Sequence, residues 1–420
     1  MKHVILGNGP AGVIAAEAIR KHAPRDDILL VGDEPEPPYS RMAIPYLLKG
    51  QIDEAGTHLR KSPDHFERLR IGLLIARAKS VDAQAHRVHL EDGTALPFDR
   101  LLIATGSTPA RPPIPGIDLP GVHACWTLED ARHIMRIVQP GTRVLQMGAG
   151  FIGCIILESL VARGAQLTVV EMGDRMVPRM MDKGAGGMIK RWVQKKGVSV
   201  FTSTKVDAIE RGTPLLVRLS NGQQVPADLV ISATGVRPNI GFLQHSGIDC
   251  ALGVLTDDTM QTNVPGIYAA GDCAEAFDAP SGKPVVSAIQ PNAADQAGCA
   301  GMNMTGKKAR LRGVTQINVL DTLGLVSSSF GQWQGVPGGT HAESADDANF
   351  RYVSLQFNDD VLVGSNAIGV TDHVGVLRGL IQSGVKLGPW KDRLVHEPLR
   401  FPEAYLSAAQ AQHTRGFGIA

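Results

Sequence analysis

The feature that most constrains this chain is a strand, a glycine-rich loop, a helix and a second strand, in that order and present twice. In the first copy the strand Val4-Ile5-Leu6 runs into Gly7-Asn8-Gly9-Pro10-Ala11-Gly12, a helix follows to about His22, and the strand Ile28-Leu29-Leu30-Val31 closes the unit. In the second, Val144-Leu145-Gln146-Met147 runs into Gly148-Ala149-Gly150-Phe151-Ile152-Gly153, with a helix to about Arg163 and the strand Leu167-Thr168-Val169-Val170. Each copy reads as a βαβ unit of the kind that builds a parallel sheet. The glycines keep side chains out of the turn so that a pyrophosphate can approach. The helix N-terminus then offers free N–H groups and a positive partial charge. An acidic residue at the end of the next strand accepts hydrogen bonds from a ribose diol. In the second copy that residue is Glu171; in the first it is Asp33, with Glu34 as the other choice. Two such units predict two bound dinucleotides, and a hydride donor with an acceptor is the economical explanation.

Further strands end in related words. Leu101-Leu102-Ile103 leads into Ala104-Thr105-Gly106, Val230-Ile231-Ser232 into Ala233-Thr234-Gly235, and Ile267-Tyr268-Ala269-Ala270 into Gly271-Asp272. Five prolines between Ser107 and Pro120 mark a linker, and a second linker is expected near Val236 to Asn239. From about Gly313 the style changes. Phe350 to Phe357 and Val361 to Gly364 flank Asn358-Asp359-Asp360, a hairpin signal, and Val374 to Gln382 reads as an amphipathic helix. Ala342 to Asn349 reads as a loop.

The chain has 420 residues, enough for about three domains at ~150 residues each. Lys plus Arg is 42 against 41 for Asp plus Glu, which gives neither a field for nucleic acid nor a polybasic membrane patch. The longest apolar stretch, Val144 to Leu157, is too short to span a bilayer, so no membrane span is expected. His3 to Leu6 already reads as a strand rather than part of a secretory signal, so the expected location is cytoplasmic. Cys125, Cys154, Cys250, Cys273 and Cys299 form no C-x-x-C or other close pair, so neither a metal site nor a vicinal dithiol is expected from spacing.

Together these words resemble the FAD-dependent pyridine nucleotide–disulfide oxidoreductase superfamily. Gly7, Gly9, Pro10, Ala11 and Gly12 match its FAD pyrophosphate loop, and Gly148, Gly150, Phe151, Ile152 and Gly153 its NAD loop. Thr105-Gly106 and Thr234-Gly235 match its two A-T-G words. Thr262 to Asp272 matches its second FAD motif, in which Gly271 and Asp272 meet the ribityl or pyrophosphate region. Ile289 to Gly306 matches the helix beneath the flavin ring. Within the superfamily, Pro38-Tyr39-Ser40-Arg41 is similar to rubredoxin and ferredoxin reductases and to the flavin region of nitrite reductase, which implies that Arg41 contacts FAD. The match covers residues 1–310; residues 310–420 agree only in style, as an interface domain through which the chain could form oligomers.

The resemblance implies two doubly wound α/β domains plus an α+β C-terminal domain. FAD is assigned to residues 1–112 with 241–312, NAD to 113–240, and the interface domain to 313–420. There are departures. No cysteine precedes Cys125, so the dithiol of the disulfide reductases is absent; Met42 stands where the single-cysteine relatives carry their thiol. The Lys and Glu that many ferredoxin reductases place beside the flavin fall here on Tyr46 and Ile155. No catalytic side chain is identified, and His396 does not match the family's acid. The expected function is electron transfer from NADH through FAD to a redox-protein acceptor such as rubredoxin, ferredoxin or a nitrite reductase partner. The alternatives are an NADH oxidase or small-molecule reductase, and a non-catalytic flavoprotein scaffold or NADH sensor.

Overall fold

The computed structural model describes residues 1–278, 282–313, 317–370 and 372–416. The parts of the expected C-terminal range at 314–316, 371 and 417–420 lie outside them. Two compact units divide the chain. The first comprises Met1–Pro109, Trp126–Leu128 and Val236–Thr315; the second comprises Ala110–Cys125, Glu129–Gly235 and Gln316–Ala420.

The first unit is built on a five-stranded parallel sheet. Its strand order is Ile267–Ala269, Arg100–Ile103, Lys2–Leu6, Asp27–Gly32, Ile71–Ile75. Central strands of a parallel sheet are covered on both faces, so they read as unbroken apolar runs. Accordingly Val4, Ile5 and Leu6 are buried, as are Leu101, Leu102 and Ile103. Each fully buried aliphatic side chain of this kind contributes roughly 1.5–3 kcal/mol. The helix Pro10–His22 begins with proline at its first turn, where the missing N–H is not needed. Its buried face, Ala11 to Ile19, includes small residues that let the helix Gln290–Met304 approach closely. At Gly301 an added Cβ would lie 2.9 Å from the Ala15 carbonyl oxygen, so the packing requires glycine. The two expected linkers meet as a ribbon: Ser107–Pro109 pairs antiparallel with Val236–Pro238.

The second unit repeats the parallel design. Its sheet runs Ser199–Phe201, Gln166–Val170, Arg143–Met147, Leu229–Ser232, Val122–His123. It also holds a five-stranded antiparallel sheet in the order Ile317–Thr322, Leu325–Gly331, Val361–Ile368, Arg351–Asn358, Thr340–Asp346. One face carries Val353, Leu355, Phe357 and Phe330 against Leu377 and Leu380 of the helix Val374–Ser383. The expected hairpin forms between Arg351–Asn358 and Val361–Ile368.

The loop expected at Ala342 to Asn349 is corrected. Thr340–Asp346 is a strand in continuous register with Arg351–Asn358. It is the edge of its sheet, and only Ala342 points into the core, so its composition is that of a solvated segment. Charged residues on an edge strand also guard its open hydrogen-bonding side.

Candidate functional site

The two glycine loops have the same backbone construction. In the first, the Gly7 N–H donates to Val31 O at 2.7 Å and the Ala104 N–H to Leu6 O at 2.7 Å. In the second, the Gly148 N–H donates to Val170 O and the Ala233 N–H to Met147 O, both at 2.8 Å. Gly9 caps its helix at φ −75°, ψ −171°, and Gly150 caps the helix Phe151–Ala162 at φ −73°, ψ −171°. Among the described residues no side chain caps either helix. The leading glycines have positive φ, +112° at Gly7 and +98° at Gly148, and a Cβ at either would strike a carbonyl of the neighbouring strand end. The third glycines are equally constrained: a Cβ on Gly12 would fall 1.8 Å from Gly7 O, and one on Gly153 2.6 Å from Gly148 O. The middle glycines differ. A Cβ at Gly9 or Gly150 meets nothing within 4 Å. The fold therefore does not require glycine at these two positions, whereas a phosphate approaching the helix N-terminus would.

Around the first loop, Gly271 at φ +81° faces the Ala11 side chain, and its N–H donates to Gln296 Oε1 at 2.7 Å. Asp272 follows. Burial pushes its carboxyl above the usual carboxylate range, although a hydrogen bond from Ser107 and the charge of Arg41 act in the opposite direction. The Thr105 hydroxyl donates to Asn239 O at 2.7 Å, and Asn239 Nδ2 donates back to Thr105 O at 3.0 Å. Gly106 adopts φ +66°, allowing the chain to turn away from the sheet.

Glu34 and Asp33, the two acids left open by the sequence, have different surroundings. Arg41 donates to Glu34 Oε1 at 2.6 Å and to Trp126 O at 3.1 Å, and Tyr39 donates its hydroxyl to Glu34 Oε2 at 2.5 Å. The Arg41 guanidinium also lies over the rings of Tyr39 and Trp126. Asp33 is more than half exposed, with Arg77 4.0 Å away. The structure thus brings Glu34 and Arg41 together and leaves Asp33 accessible at the strand end. Trp126 donates its indole N–H to Ser107 O at 3.0 Å, and the Ser107 hydroxyl reaches Asp272. Pro10 and Ala11 lie in the first turn behind Gly9.

Around the second loop, Glu171 is held in place. Its Oε2 accepts the Ala149 N–H and its Oε1 the Gly173 N–H, both at 2.7 Å. Of the two nearby cations, Arg179 is exposed and Arg175 is engaged within its own segment: it donates to Met181 O at 2.7 Å, to Pro178 O at 3.2 Å and to Asp174 at 2.6 Å. Phe151 and Ile152 open the helix after Gly150. The Thr234 hydroxyl donates to Ala110 O at 3.3 Å, and Gly235 turns at φ +107° with open space where a Cβ would stand.

Two residues that bear on this loop were not identified from the sequence. Gln146, fully buried, donates through Nε2 to Gly148 O and to Gly153 O, each at 2.9 Å, and its Oε1 has no partner among the described residues. A polar residue in the last turn of an apolar strand was the available signal; the matching position in the first copy is Ile5. Val177 adopts φ +51° and is buried, and its N–H donates to Ala149 O at 2.8 Å. A β-branched residue in that region costs roughly 1–3 kcal/mol.

Burial raises the pKa of every cysteine thiol. Cys125 and Cys154 are pushed up to about 12 and Cys299 to about 11, while Cys250 and Cys273 are raised as well. All five are free thiols. Among the described residues no cluster of His, Cys, Asp and Glu could hold a metal ion, and no helix is long and apolar enough to cross a membrane.

Known proteins share the sequence and fold of this chain. The family model for pyridine nucleotide-disulphide oxidoreductase matches residues 1–297. Over 403 residues the chain is 32% identical to the NADH-dependent phenylglyoxylate dehydrogenase subunit epsilon of Aromatoleum evansii, with 95% of each chain covered. It is 36% identical over 280 residues to the ferredoxin–NAD(+) reductase component of the p-cumate 2,3-dioxygenase system of Pseudomonas putida, covering 65% of this chain and 67% of that one. Among solved structures, the NAD-dependent persulfide reductase from A. fulgidus is similar with a TM-score of 0.86 at 27% identity, covering 92% of this chain and 78% of that one.

Proposed function

The chain belongs to the pyridine nucleotide-disulphide oxidoreductase family, and we propose that it passes electrons from NADH through FAD to a redox-protein acceptor. The observation that carries this reading is the duplicated loop. Gly9 and Gly150 share one backbone conformation, each at a helix N-terminus without a side-chain cap and each with open space where a Cβ would stand. Both are suited to a pyrophosphate.

The first loop is assigned to FAD. Gly7, Gly9, Pro10, Ala11 and Gly12 would hold the pyrophosphate. Gly271 and Asp272 would hold the far end of the cofactor, with Thr105 and Gly106 closing the sheet edge. The Glu34–Arg41 pair would lie on the adenosine side and Asp33 at the ribose. The second loop, Gly148, Gly150, Phe151, Ile152 and Gly153, is assigned to NADH, with Glu171 accepting from the ribose diol and Thr234 and Gly235 bordering the site. When bound, FAD supplies the chemistry, accepting a hydride and releasing electrons singly. The protein's part is to bind and orient each nucleotide. Four of the thiols are buried and the exposed Cys250 is also raised; thiols with raised pKa values are poor nucleophiles, which supports a cycle that uses flavin alone. With NADH as donor, the reading retains a cytoplasmic setting.

A second reading concerns the acceptor. The match to a dehydrogenase subunit extends over 95% of both chains, which includes the antiparallel sheet. This supports a sibling subunit, rather than a diffusible carrier, as the electron partner. Both readings are tested by following flavin reduction with NADH and then adding rubredoxin, ferredoxin or quinone. Rapid reduction with turnover on a carrier protein supports the first reading. Reduction without turnover on any diffusible carrier favours the second. A flavin that NADH does not reduce contradicts both.

A further inference from the structure

The segment from Glu171 to Asp182 borders the second glycine loop and is anchored on two sides. On one side the Val177 N–H donates to Ala149 O at 2.8 Å, while the Ala149 N–H donates to Glu171 Oε2 at 2.7 Å. On the other side the antiparallel sheet reaches it. Buried Asn366 donates through Nδ2 to Met180 O at 2.9 Å and accepts the Asp182 N–H on Oδ1 at 2.8 Å. The Ser354 hydroxyl donates to Asp182 Oδ2 at 2.7 Å, and the Tyr352 hydroxyl lies 3.0 Å from the same oxygen. Ser354 and Asn366 are register partners in neighbouring strands, so one sheet face presents both. The fit is close: a Cβ on Gly184 would fall 2.7 Å from the Tyr352 ring.

Between the two anchors sits Val177, in a left-handed conformation that a β-branched residue rarely adopts. Such a conformation persists only where its surroundings over-determine it. The polar side chains of the sheet meet the chain three to five residues further on. They bond to backbone groups at 180 and 182 and to the carboxylate that caps the helix Lys183–Lys195.

We propose that this sheet is a positioning element of the NADH site: Asn366, with Ser354 and Tyr352, holds the strained turn that keeps Ala149 and Glu171 in place for the adenosine ribose. The inference rests on the second loop being the NADH site. None of the three residues meets a reacting atom; they act through the turn.

The test uses the FAD-loaded protein and its Asn366→Ala variant. ADP-ribose binding is measured by calorimetry, and flavin reduction is followed over a range of NADH concentrations. The Kd for both ligands should rise about tenfold, while FAD content is unchanged and the limiting reduction rate stays within about twofold. Val177→Gly removes the strain, because glycine is at ease at this φ. In that background Asn366→Ala should change either Kd by less than about twofold. Wild-type-like binding by Asn366→Ala overturns the proposal, as does an equal loss in the Val177→Gly background. If Asn366→Ala does not accumulate, Ser354→Ala and Tyr352→Phe serve the same comparison. Failure of the wild type to bind ADP-ribose or NADH would count against the nucleotide assignment itself, and the proposal would fall with it.

Discussion

The Ser107 hydroxyl donates to Asp272 Oδ2 at 2.8 Å, joining residues 165 positions apart at one end of the first parallel sheet. Burial holds the Asp272 carboxyl above its ordinary range, and the Ser107 bond and the Arg41 charge only partly offset that. A carboxyl whose pKa is higher folded than unfolded binds its proton more tightly in the folded state. Its stabilising contribution is complete below the unfolded value of about 3.9 and is lost as pH rises through the folded one. In FAD-free protein, Asp272→Asn should therefore gain stability relative to wild type as pH rises from 3 to 7. Thermal melts across that range check this, and a difference independent of pH contradicts it.

Gly9→Val and Gly150→Val separate the demands of the fold from those of the ligands. A Cβ at either position meets nothing within 4 Å, so both variants should fold. Gly9→Val should be isolated with little or no FAD. Gly150→Val should retain its FAD, while its Kd for NADH rises on the order of a hundredfold. Absorbance at the flavin band and an NADH titration decide the matter. Normal NADH affinity in Gly150→Val would remove the second loop from the site.

Glu171 should set a preference for NADH over NADPH. Its carboxylate is fixed by the Ala149 and Gly173 amides, and a 2′-phosphate would meet it as a like charge. Arg175 cannot compensate without giving up its bonds to Met181, Pro178 and Asp174. The ratio of kcat/KM should favour NADH by roughly a hundredfold, and Glu171→Ala should narrow it about tenfold. Equal use of the two nucleotides by the wild type would refute the assignment.

Gln146 acts as a strap across the second loop. Gln146→Met keeps the length of the side chain but removes both donors to Gly148 and Gly153. The KM for NADH should rise about tenfold with kcat little changed, since an interaction made equally in ground and transition states is lost. A fall in kcat at constant KM would mean that the strap acts elsewhere.

The glycine loops and their flanking strands were legible in the sequence because each is a short-range pattern: an apolar run buried on both faces, then residues that positive φ and close backbone approach restrict to glycine. The words ending at Gly106, Gly235 and Asp272 were legible for the same reason. The features missed depend on contacts distant in sequence. Thr340–Asp346 reads as a loop because an edge strand with one inward side chain has no apolar alternation to show. Val177 carries no local signal for a left-handed turn; Ala149 and the segment beyond it impose the conformation. Arg41 was singled out in the sequence, but its pairing with Glu34 between two aromatic rings required the fold.

The most direct test of the central claim, that electrons pass through flavin with no thiol in the cycle, is anaerobic titration with NADH of the wild type and of a variant with all five cysteines replaced. The account predicts that about one NADH reduces each FAD in both proteins, because a flavin takes two electrons and no thiol pair accepts more. Uptake of a second equivalent by the wild type, with a long-wavelength thiolate–flavin band that disappears in the variant, would contradict it.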